Sequence, residues 1–216
     1  MSTSQIVLIL GAGPRSLLHR EKAVELGLSR VIFLHADFAK PGSIPELFDA
    51  VKAEFNAAPN VVVYNAASLT PPADKESALS IPADRVTSDL NVNTVSPYVA
   101  AQQAIMEWNI MSDETKKSFI YTGNVMNVSV VPVPLMLDLG MGKAASAFWI
   151  GVADQTYSAR GFRFFYADER HEDGKFKGMA LDGAAHGAFY PQLASHEGNV
   201  PWHATFVKGK GYVQFK

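Results

Sequence analysis

The chain has 216 residues, 48% of them hydrophobic, which is enough for one α/β domain with a single core over residues 1–216. Its formal charge of −2, without long runs of Lys or Arg, argues against nucleic-acid and anionic-membrane binding, and the absence of cysteine excludes disulfides, thiol catalysis and zinc–thiolate sites. Because neither a signal peptide nor an apolar stretch near the roughly 20 residues of a membrane span is visible, we expect a cytoplasmic protein.

Short apolar runs predict strands that are buried on both faces of a parallel sheet. In chain order, these runs are Ile6–Leu10, Val31–His35, Val61–Tyr64, Ser118–Tyr121 and Phe162–Tyr166. The stretch Trp202–Phe215 alternates enough to supply a last strand or a hairpin.

Helical segments lie between the predicted strands. They are Glu21–Leu26, Ile44–Phe55, Pro82–Trp108 and Lys143–Arg160, the last closed by Gly161. Pro97 predicts a break near residues 93–96, and two polar stretches, 68–83 and 168–178, predict loops. Strands that alternate with helices predict a doubly wound, Rossmann-like parallel sheet with helices on both faces.

Two features suggest a nucleotide site at the carboxyl ends of the first strands. Gly11 and Gly13 follow the first strand, where a glycine turn lets the backbone approach a pyrophosphate, with Arg15 adding positive charge. Past Gly13 the next glycine is Gly27, so the alternative is an ordinary tight turn. Asp37, after the second run, could bind an adenosine ribose or the adenine edge, or be a helix cap or a surface carboxylate.

These pieces in this order resemble the short-chain dehydrogenase/reductase family, in a divergent form of the kind seen in fungi. The resemblance covers nearly the whole chain. It rests on segments that match the family's glycine turn, its adenine-contacting Asp, its Asn-Asn-Ala-Gly motif, its structural-catalytic Asn and the Lys of its Tyr-x-x-x-Lys motif. In the same order, these segments are Gly11–Pro14, Ala36–Asp37, Tyr64–Ala67, Asp89–Asn93 and Lys143.

The resemblance implies an oxidoreductase that uses NADP or NAD, with NADP slightly favoured, on a small carbonyl or alcohol, and that forms a homodimer or homotetramer. The cofactor would be held by the glycine turn and by four further positions, namely Asp37, Asn65, Ala66 with Ala67, and Lys143. Asn93 would hold a water of the proton relay, and Thr122 or Asn124 would replace the family's substrate-orienting Ser. Trp149, Phe189 and Trp202 could lie at subunit contacts.

The first departure from the family is length. About one helix and one strand are missing after the glycine turn, since a βαβ unit needs on the order of 30 residues. Either Val31–His35 moves beside the first strand, or a gap is left in the sheet. A shortened gene model or splice form would give the same sequence.

The second departure is chemical, because Leu139 stands where the family has its proton-donating Tyr. Tyr121 or Tyr98 would have to reach the site from elsewhere. General acid–base catalysis typically contributes about 10²–10⁴-fold to a rate, so two functions stay open. The chain is either an active oxidoreductase or a catalytically silent nucleotide-binding or dimer-forming subunit.

Each single residue also has a purely structural interpretation. Lys143 near a helix start is unfavourably placed in the helix dipole, which favours a role in binding, but a solvated surface Lys is the alternative. Asn93 could be a buried Asn that satisfies backbone groups, and Asn65 a simple turn residue. The six histidines show no ligand spacing, so no metal site is expected.

Overall fold

The computed structural model describes residues 5–12 and 30–215, whose strands form one six-stranded sheet in the order β1-β2-β3-β4-β5-β6. Strands β1 to β5 are parallel, and β6 turns back antiparallel to β5. The bounds are Val7–Leu10, Val61–Tyr64, Lys117–Thr122, Phe162–Glu169, His203–Val207 and Gly211–Tyr212. The predicted parallel sheet and the predicted final hairpin are confirmed.

Five α-helices lie in the described residues. They are α1 Ile44–Phe55, α2 Ala83–Leu90, α3 Ser96–Trp108, α4 Leu137–Tyr157 and α5 Gly183–Ala194. The break predicted from Pro97 is confirmed as a π-helical turn, Asn91–Val95, between α2 and α3. Gly161 ends the 3-10 turn after α4 in the left-handed conformation, with φ of 77°, as the sequence predicts.

The helices cover both faces of the sheet and so create two cores. On one face, α1, α3 and α4 pack against the side chains of β1 to β4 that point their way, with Trp108 and Phe164 at the centre. On the other face, α5 packs against β3, β4 and β5, and Phe189 stacks on Phe206 with ring centroids 4.5 Å apart. Phe189 is therefore a core residue in this chain, and not the surface residue that a subunit contact would need.

Two sequence predictions about elements are wrong. Val31–His35 forms no strand of the described sheet, and Val31 and Leu34 are exposed. An apolar run becomes a strand only where a neighbouring strand accepts its backbone hydrogen bonds. The stretch predicted as a loop from Asp168 begins instead as the end of β4. The predicted helix Glu21–Leu26 lies outside the described residues.

β1 lies at an edge of the described sheet. β1 pairs with β2, and the described strands follow one another without an internal gap. Val7 and Ile9 point to the face opposite α1 and are about half exposed, at 48% and 57%. Neither of the two predicted arrangements, a relocated Val31–His35 strand or a gap, occurs among the described strands.

One helical segment departs from the sequence expectation about membranes. Pro134–Arg160 is long and apolar enough to cross a membrane by length and composition alone. In this fold, one side of it packs on the sheet through Ala147 and Ile150.

Candidate active site

A backbone cradle forms where β1 and β2 end. Gly11 has φ of +100°, and a Cβ there would lie 2.3 Å from the backbone nitrogen of Ala66, so only glycine fits. The Asn65 amide Nδ2 donates a hydrogen bond to the Gly11 carbonyl at 3.1 Å and ties the two turns together. Ala67 follows on the exposed side of the same turn. Gly13 and Arg15 lie outside the described residues.

Asp37 lies in a surface turn. Its carboxylate accepts a hydrogen bond from the Ala39 backbone N–H at 3.1 Å and forms an exposed ion pair with Lys40 at 3.3 Å. The turn is fixed by Ser96, whose hydroxyl donates to the Phe38 carbonyl at 2.7 Å. These contacts fit the surface-carboxylate alternative, and binding of a ribose or adenine by Asp37 stays a prediction.

The π-helical turn places Asn93 at the centre of a buried network. Its side chain donates to the Ser68 carbonyl at 2.7 Å and accepts from the Ser68 N–H at 3.0 Å, which anchors the loop after β2. Its backbone carbonyl accepts hydrogen bonds from the hydroxyls of Tyr121 and Ser146, each at 2.8 Å. A Cβ on Gly142 would lie 2.4 Å from that of Asn93, so Gly142 lets α4 approach closely.

Lys143 extends from α4 to the carboxyl end of β3. It is 4% exposed, and its Nζ donates to the Thr122 carbonyl at 2.7 Å while lying 4.4 Å from the centre of the Tyr121 ring. Burial lowers the pKa of Lys143 to about 7, although the nearby carboxylate of Asp168 acts in the opposite direction. The surface-lysine alternative is therefore wrong.

Lys143 does not lie near a helix start, contrary to what the sequence predicted. α4 begins at Leu137, six residues before Lys143, so the lysine lies well inside the helix. The dipole effect falls off within the first turn. Its burial, and not its distance from the helix start, is what makes Lys143 unusual.

The two residues proposed to replace the family's Ser lie differently. Thr122 points to the face covered by α5, where its hydroxyl lies 2.7 Å from that of Tyr190. Its side chain is therefore on the side of the sheet away from Lys143. Asn124 is buried just after β3, with its Oδ1 accepting from the Met126 N–H at 3.0 Å. Both residues lie at the end of β3, but only the Thr122 side chain is hydrogen-bonded to α5.

Three tyrosines stack across the middle strands beside this site. Tyr64, Tyr121 and Tyr166 occupy matching positions of β2, β3 and β4, with ring centroids 5.9 and 5.6 Å apart. Each hydroxyl donates to a backbone carbonyl, and burial raises the pKa of all three. Tyr98, the other candidate donor, lies on α3 against Trp149. None of these four side chains is placed to replace a Tyr at position 139.

A charged cluster that the sequence did not predict lies at the end of β4. Asp168 is fully buried, and its Oδ2 accepts from Arg170 Nε at 2.6 Å and lies 3.7 Å from His203 Nε2. Its Oδ1 has no hydrogen-bond partner among the described residues. Glu169, one residue on, points to the other face toward Lys177 and His186. The run 168–178 is polar apart from Phe176 and two glycines, and this composition predicted a loop.

Another buried carboxyl joins the start of α4 to the loop after β2. Asp138 accepts hydrogen bonds from the backbone N–H groups of Thr70 at 2.9 Å and Leu139 at 2.7 Å. Burial, with the neighbouring Asp89 carboxyl, raises the pKa of Asp138. The adjacent Leu139 has its backbone N–H held by Asp138 and a side chain that can donate no proton.

Comparison with known proteins gives one clear relative. The chain is 34% identical over 239 aligned positions to the short chain dehydrogenase/reductase dmxR12 of Cryptosporiopsis sp. (strain 8999), covering 99% of this chain and 96% of the relative. The alignment is longer than the chain's 216 residues, as expected if the chain lacks a segment that the relative has. No model of a known protein family matches the chain.

Solved structures show the same fold at low sequence identity. A short chain dehydrogenase from Mycobacterium smegmatis superposes with a TM-score of 0.74 at 15% identity, over 97% of this chain and 82% of that one. The NADPH-dependent 3-quinuclidinone reductase from Rhodotorula rubra gives 0.71 at 18% identity over the same shares. With the relative that spans the whole chain, these findings show that the chain belongs to the short-chain dehydrogenase/reductase family.

Proposed function

We propose that this chain is an NAD(P)-dependent oxidoreductase that acts on a small carbonyl or alcohol. The observation that carries the proposal is Lys143, a lysine held inside the protein at the carboxyl end of a parallel strand, where open α/β sheets bind their ligands. Burying an amine is costly unless it serves a purpose. Membership of an oxidoreductase family supplies the reaction class.

The described residues fit a dinucleotide. At the Gly11–Ala66 cradle, the cofactor's pyrophosphate could lie close to the backbone, and Asn65 holds the two turns together. Lys143 would hold the nicotinamide ribose. The cofactor, when bound, supplies or accepts a hydride. NADP is favoured over NAD, in line with the NADPH dependence of the Rhodotorula rubra reductase. Asp37, Gly13 and Arg15 belong to the same proposal.

The substrate carbonyl would lie beside Lys143. Asn124 is the side chain that we assign to orient it, since the Thr122 hydroxyl faces α5. Asn93 acts at a distance, by holding Ser68 and, through its carbonyl, the Tyr121 ring on which the lysine rests.

Calorimetric titration tests the cofactor site directly. We expect NADPH to bind saturably and to raise the melting temperature, and Lys143→Ala to lose that binding. Lys117→Ala is the matched control, because Lys117 is equally buried but lies at the amino end of β3. A folded wild type that binds neither NADPH nor NADH would remove the proposal.

A catalytically silent subunit is the second candidate, favoured by Leu139 at the position of the family's Tyr. The same purified protein separates the two functions. NADPH binding without turnover of any carbonyl in a broad panel would establish the silent subunit, whereas turnover above background would establish the enzyme.

We also propose that the chain forms a homodimer through α4. An apolar stripe runs along its outer side, with Met141, Ala145, Phe148 and Val152 at helical spacing, and Phe148 is 77% exposed. Such a stripe is typical of a subunit contact. We expect Phe148→Glu to convert the dimer to a monomer in analytical ultracentrifugation, while Thr156→Glu, one turn beyond the stripe, does not. A wild type that is already monomeric would contradict the proposal.

A further inference from the structure

Reduction of a carbonyl needs a proton as well as a hydride, and this site has to find its proton without a Tyr at position 139. The stacked tyrosines are excluded by their hydrogen bonds, since each hydroxyl proton is already donated to a backbone carbonyl. Asp138 lies at the start of α4 against the loop after β2, where its oxygens accept hydrogen bonds from the Thr70 and Leu139 backbone and its carboxyl neighbour is Asp89. A different acid must lie at the end of β3.

Lys143 is the group that remains. Its ammonium lies at the strand end, fixed from one side by the Thr122 carbonyl and from below by the Tyr121 ring. An ammonium has three protons, and one is used in the Thr122 hydrogen bond. The lysine is therefore positioned and still has protons to give.

Asp168 is the charge that faces it from β4. Thr122, whose carbonyl holds Lys143, pairs with Ala167 in the β3–β4 register, so Asp168 is the next residue along the neighbouring strand. It points to the same face as Tyr166, the face on which α4 packs. Its Oδ2 is used by Arg170, whereas its buried Oδ1 has no hydrogen-bond partner among the residues described. A buried carboxylate oxygen without a partner calls for an explanation, and the one that we infer is a polar group of a bound ligand.

We propose that Lys143 is the proton donor of this site and that Asp168 is a positioning residue that keeps Lys143 charged. The inference rests on the proposed function. In the step, a hydride from the reduced nicotinamide forms the new C–H bond at the carbonyl carbon. The carbonyl π electrons move to oxygen, which takes a proton from the Lys143 ammonium to give the alcohol. The cofactor is oxidised, and the neutral amine regains its proton from solvent before the next cycle.

The electrostatic surroundings of Lys143 come from three strands. β3 contributes the Tyr121 ring, β4 contributes Asp168 with Arg170 paired to it, and β5 contributes His203 beside Asp168. The carboxylate of Asp168 is the charge that favours the ammonium, opposing burial. Removing this carboxylate should therefore make Lys143 a stronger acid that is deprotonated at lower pH.

The first test is the pH dependence of carbonyl reduction. A protonated donor predicts a rate that falls as pH rises through about 7. In Asp168→Asn this limb should move down by about one unit or more, so that the rate at pH 7 falls roughly five-fold and recovers to within about two-fold of wild type near pH 5.5. Glu169→Gln, the adjacent buried carboxylate on the other face, should leave the limb in place. An unmoved limb in Asp168→Asn would overturn the proposal, because a merely structural loss does not recover at low pH.

Lys143→Arg separates charge from proton donation. Arginine keeps the positive charge but does not give up a proton in proteins. We expect this variant to retain NADPH binding within a few-fold and to lose turnover to background. Turnover near the wild-type rate would overturn the donor role.

Carbon NMR of lysine labelled at Cε gives a readout that needs neither substrate nor turnover. The Lys143 resonance, identified by its absence in Lys143→Arg, should titrate near pH 7 and move to lower pH in Asp168→Asn but not in Glu169→Gln. If the protein binds NADPH but the titration midpoint of Lys143 is the same in Asp168→Asn as in wild type, this inference alone is overturned. Absence of NADPH binding in a folded protein overturns the proposed function instead.

Discussion

Lys143→Met is expected to raise the free energy of unfolding at pH 7 by on the order of 3 kcal/mol. Burial lowers the pKa of Lys143 from 10.5 to about 7, and each unit corresponds to about 1.4 kcal/mol of preference for the neutral amine in the folded state. The lost Thr122 hydrogen bond and the contact with the Tyr121 ring offset part of this gain. Methionine fills a similar volume without a charge.

The sign of the pH dependence follows from the same shift. Between pH 7 and 10.5 the unfolded chain holds a proton on Lys143 that the folded chain has released, so wild-type stability rises with pH across this window and is unaffected by the group below it. The Met variant should lack this rise. Urea unfolding at pH 7 and pH 9 measures both effects.

An exposed lysine provides the control. Lys116→Met, on the surface before β3, should change stability by less than about 0.5 kcal/mol at either pH. A Lys143→Met protein that is less stable than wild type would mean that the lysine contributes to the fold, and would weaken the case that it is kept for function.

Local sequence patterns were sufficient to predict strands that are buried on both faces and helices whose ends are marked by proline or glycine. The predicted helix Ile44–Phe55 follows Ser43 and has Pro45 in its first turn, and the observed helix has those bounds. The break before Pro97 and the helix end at Gly161 could also be predicted, because each depends on the backbone conformation that a single residue favours. The carboxyl-end location of the site follows from parallel strands alone.

Long-range pairing decides what the sequence could not show. Val31–His35 has the composition of a strand but no strand of the described sheet beside it. Asp168 and Arg170 look like loop residues, yet both are buried and form an ion pair at the end of β4. The burial of Lys143 depends on how closely α4 packs on its neighbours. Gly142 allows this close packing, because a side chain there would collide with Asn93.

Gly11→Ala is the second change for which we expect a large effect. The new Cβ would lie 2.3 Å from the Ala66 backbone nitrogen and would sit on a residue with φ of +100°. Because the obstacle is backbone, the turns after β1 and β2 must separate, at a cost of about 2–4 kcal/mol in the free energy of unfolding. The Asn65–Gly11 hydrogen bond would be strained by the same movement.

The consequence for function should exceed the consequence for stability. If the two turns form the floor of the dinucleotide site, their separation should weaken NADPH binding by more than tenfold even below the melting temperature. Gly42→Ala is the matched control, since a Cβ on Gly42 would meet no heavy atom within 4 Å and the variant should bind and melt like wild type. A Gly11→Ala protein that melts lower but binds NADPH normally would place the cofactor elsewhere. The edge position of β1 in the described sheet makes that outcome informative, because it would mean that the chain has the fold of the family but binds the cofactor without this cradle.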